Sequence, residues 1–254
     1  MNALTITSSK RYNSFEKMLS SLSNFLEDES FFDIIIHYDD SSSKQDRDSM
    51  QNLITKKFPS KIVLERFFEK SDFDTDKRHM EIMKVWKKDI ESMNLDYVFH
   101  TEDDFLYKTK FNLSEACNLL KNNTNVAYVG FSQEIRDFPD EYKTVKIQGN
   151  FWEWLYDSNK PLLTNLFLDT KIMAKSTIPG YWCYFINWPY FSLRPGIHDV
   201  KKLKNVETFN SKMSSFELEF SIRYANFYKS YCHLKEICIH LDGTSAYELN
   251  NSSR

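Results

Sequence analysis

Apolar positions along this chain fall into two alternating patterns. Short apolar runs at Leu4 to Thr7, Phe32 to Tyr38, Lys61 to Glu65, Tyr97 to Phe99 and Val126 to Phe131 have the length and β-branched or aromatic content of strands, those at Phe32 to Tyr38 and Tyr97 to Phe99 of buried ones. Between them the spacing turns helical. Phe15, Met18, Leu19, Leu22, Phe25 and Leu26 share one helix face; Met50, Leu53 and Ile54 mark a short helix; and His79, Met83, Trp86, Ile90 and Met93 follow at intervals of four, three, four and three. A polar loop is expected from Glu69 to Lys77. Asn13 with Glu16, and Asn112 with Glu115, have capping-box spacing at helix entrances. Strand and helix alternate throughout, which predicts an α/β fold: a mostly parallel, doubly wound central sheet flanked by helices, built with right-handed crossovers.

From Gly149 onward aromatic residues cluster, at Phe151 to Tyr156 and again at Gly180 to Phe191. Most are expected in the core, and a minority could line a cleft that takes sugar rings. A last helix is expected from Ser214 to Tyr228, with Phe216, Phe220, Tyr224 and Phe227 along one side. A strand and turn from Ile237 to Gly243 then closes the fold, and residues 249–254 form a polar tail expected to fray. With 254 residues, 41% hydrophobic, 16% aromatic and only 5 Gly and 6 Pro, the chain suits a single globular domain, 1–254. A net charge of −3 without a basic stripe argues against nucleic acid as a partner. No apolar segment is long enough to span a bilayer, and the first residues do not read as a secretory signal, so a soluble cytoplasmic chain is expected. The four cysteines, Cys117, Cys183, Cys232 and Cys238, lack a Cys-x-x-Cys pair and point to neither a zinc site nor a disulfide framework.

The chemistry concentrates where the run around Tyr97 to Phe99 ends, in three consecutive carboxylates, Glu102, Asp103 and Asp104. Ligands of open α/β sheets bind beyond the carboxyl ends of such strands. Carboxylates placed there suit a hard divalent cation, which takes one or two of them and fills its other positions with water and phosphate oxygens. The same residues also fit a solvated acidic turn. The second strand likewise ends in acid, at Asp39 and Asp40.

These ordered features resemble the GT-A fold of nucleotide-sugar glycosyltransferases, family 2-like, with a Glu-Asp-Asp version of the acidic metal motif. The resemblance implies a nucleotide-binding half over 1–110, an acceptor-binding half over 111–248 and transfer of a sugar from a nucleotide diphosphate donor to a hydroxyl of a glycan or glycoconjugate. It implies Mn²⁺ or Mg²⁺ on Asp104, with His240 as a second metal or phosphate ligand, and Asp103 against the ribose. Asp39 is expected at the nucleobase, with Thr7, Arg11 and Arg78 around it or at the diphosphate. Trp182 is expected to cover a sugar ring. The base is sought at the start of the last helix. Glu219 stands four residues before Arg223, the favoured orientation for an intrahelical ion pair. Glu217 is then the candidate for taking the acceptor proton in a direct, inverting displacement, with a capping interaction with Ser214 as its structural alternative. Two rivals stay open. A metal-dependent nucleotidyltransferase would use the same strand end but usually needs a Gly-rich or Lys-rich triphosphate loop, and Thr7 to Arg11 contains no Gly. A non-catalytic carbohydrate-binding module would use the aromatic clusters without a metal.

Overall fold

The computed structural model describes residues 1–69, 75–132, 147–153, 190–210 and 216–241. Among them, β1 (Asn2–Ser8), β2 (Ile34–Asp40), β3 (Ile62–Phe68) and β4 (Tyr97–Glu102) are the parallel strands that the apolar runs predict. They are connected by α1 (Tyr12–Phe25), α2 (Lys44–Lys57) and α3 (Thr75–Ser92). Then come β5 (Phe105–Tyr107), α4 (Leu113–Asn122), β6 (Val126–Gly130), β7 (Ile147–Gln148), β8 (Phe151–Glu153), β9 (Gly196–Asp199), α5 (Val200–Leu203), α6 (Phe216–Ala225), β10 (Lys229–His233) and β11 (Cys238–His240).

The main sheet has the order β3-β2-β1-β4-β9-β6-β10-β8-β7, and β11 pairs with β5 in a separate two-stranded sheet. β9 runs antiparallel to both β4 and β6, and β8 runs antiparallel to β10 and β7. The remaining strands share one direction, so the sheet is mostly parallel. The chain moves outward through β1, β2 and β3, then α3 carries it back so that β4 lies on the other side of β1. Right-handed crossovers put α1 and α2 on one face and α3 on the opposite one. The reversal opens a crevice at the carboxyl ends of β1 and β4, the switch point where such sheets bind ligands.

Strand alternation divides the core in two. Leu4, Ile6, Ile35 and Phe99 pack with Phe15, Met18, Leu22 and Leu120 on the α1 face. Ala3, Ile34, Ile36, Tyr38 and Val98 pack with Met83, Trp86, Ile90, Phe216 and Tyr224 on the α3 face. β9 crosses β6 closely at Gly196, where a Cβ would lie 2.3 Å from the Tyr128 ring.

Several expected boundaries move. α1 begins at Tyr12 with Arg11 at its N-cap, so Asn13 is inside the helix rather than capping it. Asn112 does cap α4, accepting the Glu115 N–H at 3.1 Å. The helix around Met50 is long, reaching back to Ser43, whose hydroxyl caps it from Asp46 N. The polar loop after β3 gives way to helix by Thr75. Phe227 lies past the end of α6 and is 56% exposed, while Phe216, Phe220 and Tyr224 are buried as expected. β9 and β10 are strands that apolar patterning misses, because Gly196-Ile197-His198-Asp199 and Lys229 to His233 carry too few apolar residues to stand out. Cys117, Cys232 and Cys238 are buried free thiols. Trp182, Cys183, the segment before Phe216 and the tail lie outside the described residues.

Candidate active site

The acidic triplet is divided by strand geometry. β4 ends at Glu102, a two-residue turn holds Asp103 and Asp104, and β5 resumes at Phe105. Asp103 N donates to Thr7 O at 3.0 Å, tying the turn to the end of β1. Asp103 points to the α1 side, where Arg11 meets it through Nε at 3.2 Å to Oδ2 and through Nη2 to Oδ1. Ser9 N also donates to Asp103 Oδ2, at 3.1 Å. Arg11 Nη1 reaches Asp104 Oδ2 at 3.1 Å, and His240 Nε2 lies 3.3 Å from the same oxygen. His240 is brought there by the β5–β11 pairing, in which it stands opposite Phe105 and packs edge-on against that ring. Glu102 points to the other face, toward His79 of α3 at 3.8 Å and within electrostatic range of Glu217 of α6.

Burial gives the three acids different characters. It pushes Glu102 well above the usual carboxylate range, reinforced by Asp104, Glu217 and Asp103. It pushes Asp103 up to about 7, with Arg11 and the Ser9 N–H restraining the rise. Burial also acts upward on Asp104, but His240 and Arg11 outweigh it and hold this carboxyl below its ordinary value. Asp104 is therefore the dependable anion of the triplet. Its Oδ1 is buried and without a hydrogen-bond partner among the described residues. Among those residues no group of three or more His, Cys, Asp or Glu is arranged to hold a metal ion. Asp104 and His240 form a two-residue set, which fits a cation that completes its shell with water and phosphate oxygens.

A second cluster lies at the end of β2. Asp39 is fully buried. Its Oδ1 accepts from Ser42 Oγ at 2.5 Å and from Ser8 Oγ at 3.4 Å, while Oδ2 has no partner among the described residues. Gln51 Nε2 donates to His37 Nδ1 at 3.1 Å, which leaves His37 Nε2–H to donate to Ser8 Oγ at 2.8 Å. A chain of bonds thus runs from α2 through His37 and Ser8 to Asp39. Lys10, at φ 53°, turns its own N–H onto Ser42 Oγ at 3.1 Å. A left-handed lysine is uncommon, and here side-chain bonds hold a turn that would otherwise suit glycine. Arg78 is paired with Asp40 and donates from Nη2 to Ser41 Oγ and Phe68 O, both at 2.8 Å, so it braces the β2 end. Thr7 is buried, and its hydroxyl has no partner among the described residues.

Burial depresses His37 to about 3. A histidine held neutral in the folded chain contributes stability above its unfolded pKa of about 6.5, and that contribution is lost as pH falls toward 3. Relative to His37→Gln, the parent protein should therefore lose about 1.4 kcal/mol per pH unit below 6.5, or about 2.7 kcal/mol by pH 4.5. Urea unfolding of both proteins at pH 7.5, 5.5 and 4.5 measures this difference. A gap that does not change with pH would mean that His37 takes up a proton as readily in the folded chain as in the unfolded one.

On the far side of the crevice, Glu217 Oε1 accepts the Leu193 N–H at 2.9 Å. Burial raises its carboxyl, opposed by Leu193, Arg194 and Ser192. Glu219 is paired with Arg223 at 2.8 Å, as its helical spacing predicts. The structure thus gathers Arg11, Asp103, Asp104 and His240 into one cluster and Thr7, Asp39 and Arg78 along the adjoining strand ends, with Glu217 near Glu102. Trp182 lies outside the described residues. Sequence reasoning missed His37, Ser8, Ser42 and Arg194, and it grouped His79 with one face of α3 without a role, where it stands against Glu102 and Phe216. The one available signal was the run of serines after β1 and β2, the residue type that hydrogen-bonds local backbone and strand-end acids.

No family model matches the chain, and no curated protein matches it by sequence. Solved structures do match in fold. The mannosyltransferase PcManGT from Pyrobaculum calidifontis, in complex with GDP-Man and Mn²⁺, superposes with a TM-score of 0.59 at 11% identity, over 97% of this chain and 58% of that one. S. aureus TarS 1–349 in complex with UDP-GlcNAc gives 0.57 at 11%, over 96% and 60%. GalNAc-T7 with UDP, GalNAc and Mn²⁺ gives 0.59 at 7%, over 94% and 43%. The chain therefore spans at most about three fifths of each of these proteins. At such identities the likeness is one of architecture, and the architecture is that of GT-A-type glycosyltransferases: this chain has a GT-A-like fold.

Proposed function

We propose that the chain is a metal-dependent glycosyltransferase that moves a sugar from a nucleotide diphosphate donor to a hydroxyl of a glycan or glycoconjugate, with inversion. The observation that carries this reading is the position of the Asp103-Asp104 turn, clasped by Arg11, at the switch point of a GT-A-like sheet. The matched structures hold GDP-Man, UDP-GlcNAc, or UDP with Mn²⁺, which supports a nucleotide-sugar donor.

In this reading Asp104 and His240 hold Mn²⁺ or Mg²⁺, and Asp104 supplies the charge because it stays ionised. The cation, when bound, stabilises as a Lewis acid the negative charge that grows on the departing diphosphate. Asp103 accepts from the ribose hydroxyls. Asp39 presents its unpartnered oxygen to the nucleobase, held by Ser8 and Ser42, and Thr7 lines the same strand end. Arg78, fixed by Asp40, Ser41 and Phe68 O, shapes that pocket rather than reaching the diphosphate. Glu217, oriented by the Leu193 N–H, accepts the proton of the attacking hydroxyl. Trp182 covers the sugar ring. The nucleotide belongs to the 1–110 half and the acceptor to the remainder.

The test is a panel of nucleotide sugars assayed for Mn²⁺-dependent donor hydrolysis, with calorimetry of UDP and GDP in Mn²⁺ and in chelator. Binding and hydrolysis that require the cation are expected. Glycan binding indifferent to chelator would replace the enzyme with a binding module, and turnover of nucleoside triphosphates alone would favour a nucleotidyltransferase.

A further inference from the structure

Arg11 occupies the electrostatic position that a cation on Asp104 would need. Its planar fork spans both turn carboxylates through Nε and Nη2 to Asp103 and Nη1 to Asp104. The three side chains are only 13%, 1% and 15% exposed, so little water screens the charges. A guanidinium and a divalent cation on the same carboxylate repel one another in such surroundings. A diphosphate changes the balance, because it brings several negative charges and oxygens that the same fork binds in pairs. The backbone of Arg11 is anchored at the start of α1, where its carbonyl accepts the Phe15 N–H at 2.9 Å. Its side chain makes no capping bond to the helix, so it can leave Asp104 without loosening α1.

We propose that Arg11 makes the Asp103-Asp104 turn a site for a cation that arrives with a diphosphate rather than for a bare cation. This rests on the glycosyltransferase reading. Without ligands Arg11 offsets part of the charge of the two carboxylates and holds their spacing. When a nucleoside diphosphate and a divalent cation bind, its Nη1 exchanges Asp104 for a phosphate oxygen, and Asp104 becomes fully available. Arg11 is in this sense a positioning residue that couples the two ligands. The coupling is reciprocal: the nucleotide strengthens cation binding by the factor by which the cation strengthens nucleotide binding.

The experiment titrates Mn²⁺ alone, followed by the paramagnetic resonance of the free ion, and UDP and GDP with and without saturating Mn²⁺, on the parent protein, Arg11→Gln and Arg11→Lys. Arg11→Gln should bind Mn²⁺ alone about tenfold more tightly, equivalent to about 1.4 kcal/mol. It should bind UDP or GDP in Mn²⁺ about tenfold more weakly with little change in chelator, so the mutual strengthening falls by about tenfold. Arg11→Lys keeps the charge but loses the fork, so its affinity for Mn²⁺ alone should stay within about threefold of the parent while the coupling drops. Melting temperatures confirm that each variant is folded, and the lysine variant carries the test if the glutamine variant is not. Unchanged or weaker binding of Mn²⁺ alone by Arg11→Gln, or parental coupling in Arg11→Lys, would overturn the proposal. If no protein binds UDP or GDP in a Mn²⁺-dependent way, the glycosyltransferase reading fails instead. The Mn²⁺-alone titration still judges Arg11 in that case, because it needs no nucleotide.

Discussion

Asp104→Asn is expected to weaken Mn²⁺-dependent binding of UDP or GDP by more than about 100-fold, beyond the 10–100-fold typical of losing a group that only supports a metal ligand. A neutral amide is a poor ligand for a hard cation, and the other two acids of the triplet are poor substitutes. Glu102 points to the opposite face, where burial raises its carboxyl well above the usual range, and Asp103 is engaged by Arg11 and Ser9. The fold should persist. Asp104 contributes one contact to Arg11 and one to His240, and an asparagine oxygen can still accept the Arg11 bond. Arg11 also keeps its two bonds to Asp103, so the guanidinium is not left unpaired. Calorimetry in Mn²⁺ and thermal melting measure the two effects separately. Parental nucleotide affinity in the variant would return the triplet to a structural turn and remove the metal assignment with it.

Most strands and helices of the first hundred residues were legible because they carry a clear apolar face, whereas β3 lies half-exposed at the sheet edge and α2 buries only Met50 and Ile54. β1, β2 and β4 are covered on both sides, so their apolar runs are continuous, and α1 and α3 each bury one clear stripe. β9 was not legible for an equally physical reason. It is buried within the sheet between β4 and β6, yet its four residues are Gly, Ile, His and Asp. Gly196 makes room for the Tyr128 ring, His198 packs among Trp86, Tyr128 and Phe191, and Asp199 caps α5 through Lys202 N. Tertiary neighbours rather than local hydrophobicity make that segment a strand. The resulting antiparallel insertion does not disturb the crevice, because the switch point lies between β1 and β4.

Candidate site residues were legible as types at strand ends, but their pairings were not. Arg11 lies more than ninety positions before Asp103 and Asp104, and only the β1–β4 register, which sets Thr7 beside Glu102, brings it to them. His240 reaches Asp104 through a small separate sheet that apolar runs do not announce. The division of the triplet, with Glu102 toward α3 and Asp103 toward α1, follows from strand alternation once β4 is known to end at Glu102. The His37-Ser8-Asp39 chain left no sequence signal beyond a histidine inside an apolar run. Such a residue reads most simply as core, and burial does keep it neutral.

Glu217→Gln is expected to lower turnover about 10²–10⁴-fold, the usual contribution of a general base, with UDP or GDP affinity in Mn²⁺ within about twofold of the parent. The substitution isolates proton transfer well. Glutamine keeps an oxygen to accept the Leu193 N–H, so the side chain should stay in place. It also removes a buried charge whose cost is visible in the raised carboxyl, so stability should hold or increase slightly. Because that carboxyl is raised, the acid limb of kcat/KM in the parent should fall through a pKa above the ordinary glutamate value and be absent from Glu217→Gln. Glu219→Gln is the control. It breaks the ion pair with Arg223, worth about 0.3–0.5 kcal/mol on a helix surface, and should leave turnover unchanged. Steady-state kinetics and urea unfolding on both variants decide between catalysis and structure. Loss of turnover in Glu219→Gln alone would transfer the role to Glu219. Parental turnover in both would place the base outside α6 or remove the direct inverting displacement. A loss of stability in Glu217→Gln without a comparable kinetic effect would make Glu217 a strut for the Ser192-Leu193-Arg194 loop.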